Sequence, residues 1–282
     1  MIPAAFEYVR AGSVDEAVSV LGEHGDEAKV LAGGHSLLPL MKLRLAVPEV
    51  LVDVGRIDAM KGVSDAGDRL AIGAATTHQD VMNDALVRDH CGVVADVTAM
   101  VGDAQVRHRG TIGGAIAHGD AAGDLPTVLL ALDATVVAQG PSGEREIAAA
   151  DLFVDHLTTA LADEEVLTEV RVPKLDAAWS WHYEKFNRVA QAWATVGSLA
   201  LVRRANGTIE EARVGLTNMG AVPIRAGATE AALAGASADA IGEAAAQADQ
   251  GSDPPGDLNA TPDFRRHLAR VLTRRALEAA AG

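Results

Sequence analysis

Cysteine occurs once in the 282 residues, at Cys91. A lone thiol excludes an internal disulfide, a paired-cysteine redox motif and a cysteine-ligated iron–sulfur cluster; Cys91 itself reads as a small buried hydrophobe. Long apolar runs are also lacking: none approaches the roughly 18 residues a membrane helix needs. The opening stretch MIPAAFEYVR has neither a basic segment nor an apolar core, so no secretory signal is expected. The expectation is a cytoplasmic protein with at most peripheral membrane association. Positive charge is scarce, with 24 Lys and Arg against 39 Asp and Glu for a net charge of −15. That balance disfavours nucleic acid and anionic lipid as partners, and any anionic ligand must be held by local features such as backbone amides. There is no G-x-G-x-x-G, and Gly62 to Gly67 runs into Asp68-Arg69 where a phosphate loop requires Lys and Ser or Thr. No H-E-x-x-H or similar carboxylate–histidine pattern appears, so no metal ligands are expected in this chain.

What is present suffices for two domains with cores of their own. Ser13 followed by Glu16 is a capping box opening a helix through Leu21. Ala28–Leu31 predicts a strand that stops at Gly33-Gly34; residues 37–45 have helical spacing, and Val50–Val54 a strand. Residues 1–55 thus read as a small β-α-β unit with a glycine turn in its middle. Further strands are expected at Leu70–Ala74, Ala134–Ala138 and Glu165–Val172, with helical segments at Thr77–Asn83, Val93–Met100 and Pro126–Leu132. After Lys174 the character changes. Trp181–Phe186, Thr195–Arg203 and Glu210–Thr217 predict three strands, the last two joined by Asn206-Gly207, a strong hairpin signal. Alanine-rich helices are expected at 226–234 and 237–249. Thr261-Pro262 starts a last helix with Phe264, Leu268, Val271 and Leu272 on one face and Arg265, Arg266, Arg270, Arg274 and Arg275 on its wet face. A boundary is placed near residue 176.

Two glycine clusters carry the chemistry. The first is Ala32-Gly33-Gly34-His35-Ser36 and the second Thr111-Ile112-Gly113-Gly114-Ala115. Paired glycines permit φ > 0 and leave no Cβ between backbone and ligand, so successive N–H groups can converge as a nest for an anion. Ser36 and Thr111 add hydroxyls. Either cluster alone is also consistent with a tight turn. Two in one domain suit a ligand with two phosphates, and the residues alone reach no further than that.

At these residues the chain resembles the FAD-binding subunits of molybdenum hydroxylases. Ala32–Ser36, continued by Leu37-Leu38-Pro39, is similar to the family's first FAD motif. Thr111–Gly114, preceded by Gln105-Val106-Arg107 and followed by Gly123-Asp124-Leu125-Pro126, is similar to its second. Tyr183-Glu184-Lys185 and Gly215-Leu216-Thr217-Asn218 match as well, with spacing like that of the carbon monoxide dehydrogenase branch. The likeness runs through nearly the whole chain. It implies an α+β fold: a vanillyl-alcohol-oxidase-type (PCMH-type) FAD-binding domain over 1–176, in a small part (1–55) and a larger one (56–176). A C-terminal domain of a three-stranded antiparallel sheet with helices follows over 177–282.

The resemblance also assigns roles. Both glycine loops, His35 included, would hold the pyrophosphate of noncovalently bound FAD. Asp124 would lie near the ribityl or ribose hydroxyls, Val101 and Leu167 would line the flavin pocket, and Lys185 would stand near the flavin ring. Trp193 falls where the carbon monoxide dehydrogenase branch has a tyrosine beside the isoalloxazine, and Ala115 replaces the usual Asn or Ser of the second motif. The molybdenum cofactor and [2Fe–2S] clusters would reside on a large and a small partner subunit, in a dimer of heterotrimers. Electrons would pass from the clusters through this FAD to a quinone or other acceptor, with no catalytic acid or base in this chain. Alternatives are the flavin subunit of a molybdenum hydroxylase for an aromatic N-heterocycle or hydroxybenzoyl-CoA, a self-contained flavin oxidase, or a docking protein with vestigial loops.

Overall fold

The computed structural model describes residues 2–282. Its first part holds β1 (Glu7–Arg10), α1 (Val14–His24), β2 (Ala28–Leu31), α2 (Leu37–Lys42) and β3 (Val50–Asp53), with the three strands in one parallel sheet of order β1-β3-β2. Ser13 caps α1 as expected, accepting the Glu16 amide at 3.1 Å, while the Glu16 carboxylate accepts the Gly12 amide at 2.7 Å. The β-α-β unit is β2-α2-β3. Strand β1 escaped the sequence reading because its residues are mostly exposed and lack apolar alternation.

A larger part follows. It contains β4 (Val63–Ala66), β5 (Arg69–Gly73), α3 (His78–Asn83), α4 (Ala85–His90), α5 (Gly92–Ala99), α6 (Ala104–Arg107), α7 (Ile112–His118) and α8 (Asp124–Ala131). Next come β6 (Thr135–Gly140), β7 (Gly143–Ala148), α9 (Ala149–Leu152), the short pair β8 (Phe153–Asp155) and β9 (Thr158–Thr159), and β10 (Val166–Pro173). Five strands form an antiparallel sheet of order β4-β5-β10-β6-β7. Its centre is buried through Leu70, Ile72, Val136, Val170 and Val172. Cys91 is buried, and that burial pushes its thiol up to about 12, as suits an inert core group. Thr77 caps α3 through a bond to the Asp80 amide and pairs with Thr111 in an isolated antiparallel bridge. That bridge brings the start of α3 against the second glycine cluster.

The C-terminal part holds β11 (Trp179–Phe186), β12 (Val196–Ala205), β13 (Thr208–Thr217), β14 (Ile224–Arg225), α10 (Gly227–Leu233), α11 (Ile241–Ala245) and α12 (Pro262–Ala281). The three expected strands are present, and the two-residue β14 extends them to four in antiparallel order. Asn206 and Gly207 both have positive φ, at 53° and 83°, as the tight hairpin requires. The helix expected over 237–249 is α-helical only across α11. Strand β12 is buried on both faces. Val196, Ala200 and Val202 pack with Leu268, Leu272 and Leu277 of α12, whereas Leu199 and Leu201 join the core of the preceding part. No helix among the described residues is long and apolar enough to cross a membrane.

The expected wet arginine face of α12 needs one correction, since Arg265 is only 1% exposed. Its guanidinium donates to the Thr195 carbonyl oxygen and, at 2.8 Å, to Asp257 Oδ2, so it clamps α12 to the segments on either side. Helical periodicity alone could not separate it from its neighbours, because the partners come from distant segments. Arg265→Ala leaves the Thr195 carbonyl without its donor and should cost about 1–3 kcal/mol in chemical denaturation. Exposed Arg274→Ala should change the same midpoint by less than about 0.5 kcal/mol; equal effects would contradict the clamp.

Candidate functional site

A cleft of about 640 Å³ opens between β2, the second glycine cluster, the 157–163 segment and the 185–193 stretch of the C-terminal part. Ala32, Gly33, Gly34, His35, Ser36, Val101, Thr111, Gly114, Ala115, Asp124, Lys185 and Trp193 all line it. Residues far apart in the chain are thereby brought to one wall-to-wall space of a size suited to a cofactor. Ile112, Gly113 and Leu167 do not line it. Ile112 is the fully buried first residue of α7, and Leu167 is a buried member of β10 paired with Ala138.

The two clusters differ in kind. In the first, the amides of Gly33, Gly34, His35 and Ser36 have no acceptor among the described residues. Gly34 takes φ 78°, and Ser36 makes no side-chain cap to α2. This is an open nest with a free hydroxyl beside it. The second cluster is a closed helix start. Ile112 N–H donates to Thr76 O at 3.0 Å, Gly113 N–H to Ala74 O at 2.9 Å, and Gly114 N–H to Thr111 Oγ1 at 3.1 Å. The expectation of two equivalent nests is corrected accordingly: the first loop offers free donors, while the second builds the wall behind it and contributes the Thr111 hydroxyl.

The glycines are explained differently as well. A Cβ on Gly33 would overlap the Arg109 carbonyl, and one on Gly113 would overlap Ala74. Of these positions only Gly34 needs glycine for its dihedral. Gly33 and Gly113 are glycine because backbone meets backbone there, so substitution at either would disturb the fold together with the cleft.

At the floor, Lys185 Nζ lies 2.7 Å from Asp124 Oδ2 and donates also to Met100 O at 3.1 Å. The two side chains are 3% and 6% exposed. Tyr183 donates to Asp124 Oδ1 at 2.7 Å, and Thr217 stands 3.1 Å from the same phenolic oxygen and 2.7 Å from Thr127 Oγ1. Burial raises the Asp124 carboxyl's pKa, and Lys185 opposes that rise. Burial pushes Tyr183 well above the ordinary phenol range, and the Asp124 carboxylate adds to that. Asp124 starts α8 and Lys185 sits on β11, so the pair ties the C-terminal part to the floor of the cleft. Trp193 stands at the mouth, 55% exposed, on a segment anchored by Asn218 Nδ2 to Ala194 O at 2.8 Å.

One lining residue the sequence reading passed over is His78. Its helix was expected, but nothing in the spacing shows that the first side chain of α3 turns toward the cleft. It is 3% exposed, and burial, then Arg107, then His35 lower its pKa to about 4. Tyr183 and Thr217 lay inside quoted motifs without roles of their own.

With this geometry, comparison with known proteins is decisive. Residues 4–175 match the family model described as the FAD binding domain in molybdopterin dehydrogenase, and residues 181–280 match the CO dehydrogenase flavoprotein C-terminal domain. The chain belongs to the molybdenum hydroxylase FAD-subunit family. It is 39% identical over 282 residues to the carbon monoxide dehydrogenase medium chain of Hydrogenophaga pseudoflava, covering 99% of this chain and 98% of that one. It is 35% identical over 280 residues to the 6-hydroxypseudooxynicotine dehydrogenase complex subunit alpha of Paenarthrobacter nicotinovorans, at 98% and 95% coverage. A solved carbon monoxide dehydrogenase from Hydrogenophaga pseudoflava superposes with a TM-score of 0.97 at 42% identity, covering 99% and 98% of the two chains. The expected fold class, a PCMH-type flavin domain with the flavoprotein C-terminal domain, is the family's.

Two outcomes follow from the site. Lys185→Met strands a buried carboxylate and should cost about 3–5 kcal/mol, with much of that recovered in the Asp124→Asn/Lys185→Met double variant. A single variant as stable as the parent would contradict the pairing. Because His78 ionises near 4 in the fold against 6.5 unfolded, the unfolded state binds its proton first. Its contribution is complete above pH 6.5 and is lost as pH falls toward 4, on the order of 3 kcal/mol. Stability curves across that window should flatten in His78→Gln; parallel curves for both proteins would contradict it.

Proposed function

We propose that the chain is the FAD-carrying electron-transfer subunit of an aerobic carbon monoxide dehydrogenase. The observation that carries FAD binding is the set of unbonded amides at 33–36, in a loop that lines the cleft, the donor chemistry a pyrophosphate needs in a protein of net charge −15. Gly33, Gly34, His35 and Ser36 hold the phosphates with the Thr111 hydroxyl, and Ala32, Gly114 and Ala115 shape the adjoining wall. Asp124 and Lys185 fix the floor under the ribityl chain and ring, Val101 lines the ring's side, and Trp193 covers one ring face. Ile112, Gly113 and Leu167 act from behind the lining. When bound, FAD supplies the redox chemistry that collects electrons and releases them to an acceptor. The chain's residues orient it, shield it from water and set the charge beside it; none is required as a general acid or base.

The partners proposed are a molybdenum-binding large subunit and a small subunit carrying [2Fe–2S] clusters, as a dimer of heterotrimers in the cytoplasm that delivers electrons to a quinone. Residues 1–176 and 177–282 are taken as the two domains, a division supported by the matched spans 4–175 and 181–280. Carbon monoxide as substrate rests on the 39% full-length identity to a medium chain of that enzyme. A second reading has its own support: at 35% over 280 residues, the relative from the 6-hydroxypseudooxynicotine enzyme stands close behind. It makes the chain the flavin subunit of a hydroxylase for an N-heterocyclic or related substrate.

Coexpressed with its two partner subunits, the chain should form a complex in which carbon monoxide bleaches the flavin, and acid precipitation should release all of the flavin as FAD. Flavin retained on the precipitate, or released as FMN, contradicts noncovalent FAD. Bleaching by an N-heterocycle and not by carbon monoxide selects the second reading. Substrate turnover by the isolated chain would overturn both.

A further inference from the structure

His78 is wedged behind the second glycine cluster. Its amide donates to Gly110 O at 2.9 Å, and its ring packs so closely that a Cβ on Gly110 would lie 2.9 Å from Cδ2 and 3.2 Å from Nε2. Nδ1 is sealed from solvent and has no hydrogen-bond partner among the described residues. Nε2, on the edge facing Gly110, is not sealed in this way, and the residue lines the cleft. Arg107 and His35, both basic, act on the ring, and no carboxylate accepts a hydrogen bond from it.

A neutral imidazole carries one N–H and one lone pair. A proton on Nδ1 would be a buried donor without an acceptor, an arrangement native structures avoid. On Nε2 the same proton reaches the cleft. There it joins a set composed of donors: the amides of 33–36, the Ser36 hydroxyl and the Thr111 hydroxyl. Gly33 touches Arg109 and Gly110, so the first loop lies just across the chain from the imidazole. Such a set is short of one thing, an anionic oxygen. We propose that His78 is a cofactor-binding residue, held as its Nε2–H tautomer and donating to a phosphate oxygen of bound FAD. This rests on the reading of the cleft as the FAD site.

The test compares parent, His78→Leu and His78→Gln in the full chain and in the coexpressed complex after flavin removal, with FAD, ADP and riboflavin titrated separately. Loss of one hydrogen bond to a charged group predicts FAD and ADP binding weaker by about ten- to a hundredfold in His78→Leu. Riboflavin, which lacks the pyrophosphate, should bind as in the parent. Glutamine, whose amide N–H stands near the position of Nε2, should restore most of the loss. Nitrogen NMR shifts of His78 in the FAD-bound parent should be those of the Nε2–H tautomer, a reading that needs no variant. Unchanged FAD affinity in His78→Leu, an equal loss for riboflavin, or an Nδ1–H tautomer overturns the proposal while leaving the FAD site standing. A parent that binds no FAD in either form removes the reading of the cleft, and this proposal with it.

Discussion

The buried ion pair between Asp124 and Lys185 is the constraint on which the rest of the arrangement hangs. A carboxylate and an ammonium taken out of water cost several kcal/mol each, and attraction recovers that only with good geometry and full hydrogen bonding. Both conditions are met here: Asp124 takes Lys185 on one oxygen and Tyr183 on the other, and Lys185 donates onward to Met100 O. Tyr183 in turn meets Thr217, which meets Thr127 of α8. The chain of bonds runs from the cleft floor into the contact between α8 and the C-terminal sheet. Glycines make room for it. A Cβ on Gly197 would overlap the Tyr183 hydroxyl, and one on Gly215 would lie 2.7 Å from Thr127 Cγ2. Packing between the two parts and the shape of the cofactor cleft are thus one structural fact.

That coupling explains which features could be read in the sequence. Local signals were legible where local physics decides: the capping box at Ser13, the Asn206-Gly207 hairpin and the glycine stop after Leu31. Eight of the twelve cleft-lining residues belong to the two glycine clusters that the sequence shows by itself, whereas Val101, Asp124, Lys185 and Trp193 came from family resemblance, since no spacing rule brings them together. What stayed hidden is non-local. Strands β1, β4 and β7 are mostly exposed and show no apolar alternation. Arg265 looks like any helix arginine until the Thr195 carbonyl and Asp257 are placed beside it. Gly33 and Gly113 look like ligand-facing turn glycines, and only the fold shows that each faces another backbone.

The charge balance gives the open nest its meaning. A net charge of −15 repels a dinucleotide at long range, and a cluster of lysines at the cleft would be the obvious remedy. The first loop works otherwise. Unbonded backbone amides such as those of 33–36 offer partial positive charge that needs no counter-ion and does not change with pH. The one lysine in the lining near the floor has its charge already engaged by Asp124. A binding site of this kind discriminates by geometry, which suits a cofactor held in one pose for electron transfer.

The second loop then acquires its function from the first. Its amides are engaged by Ala74, Thr76 and Thr111, so it is rigid before any ligand arrives. Gly33 rests on Arg109 and Gly110, which passes that rigidity to the nest. A nest that must be ordered on binding would lose affinity to the ordering; one already braced against a closed helix start does not. His78 stands behind the same brace, tied through its amide to Gly110 O. Hence, on the proposed reading, a substitution at Gly113 should reach the ligand only through the first loop, since Gly113 packs on Ala74 and does not line the cleft.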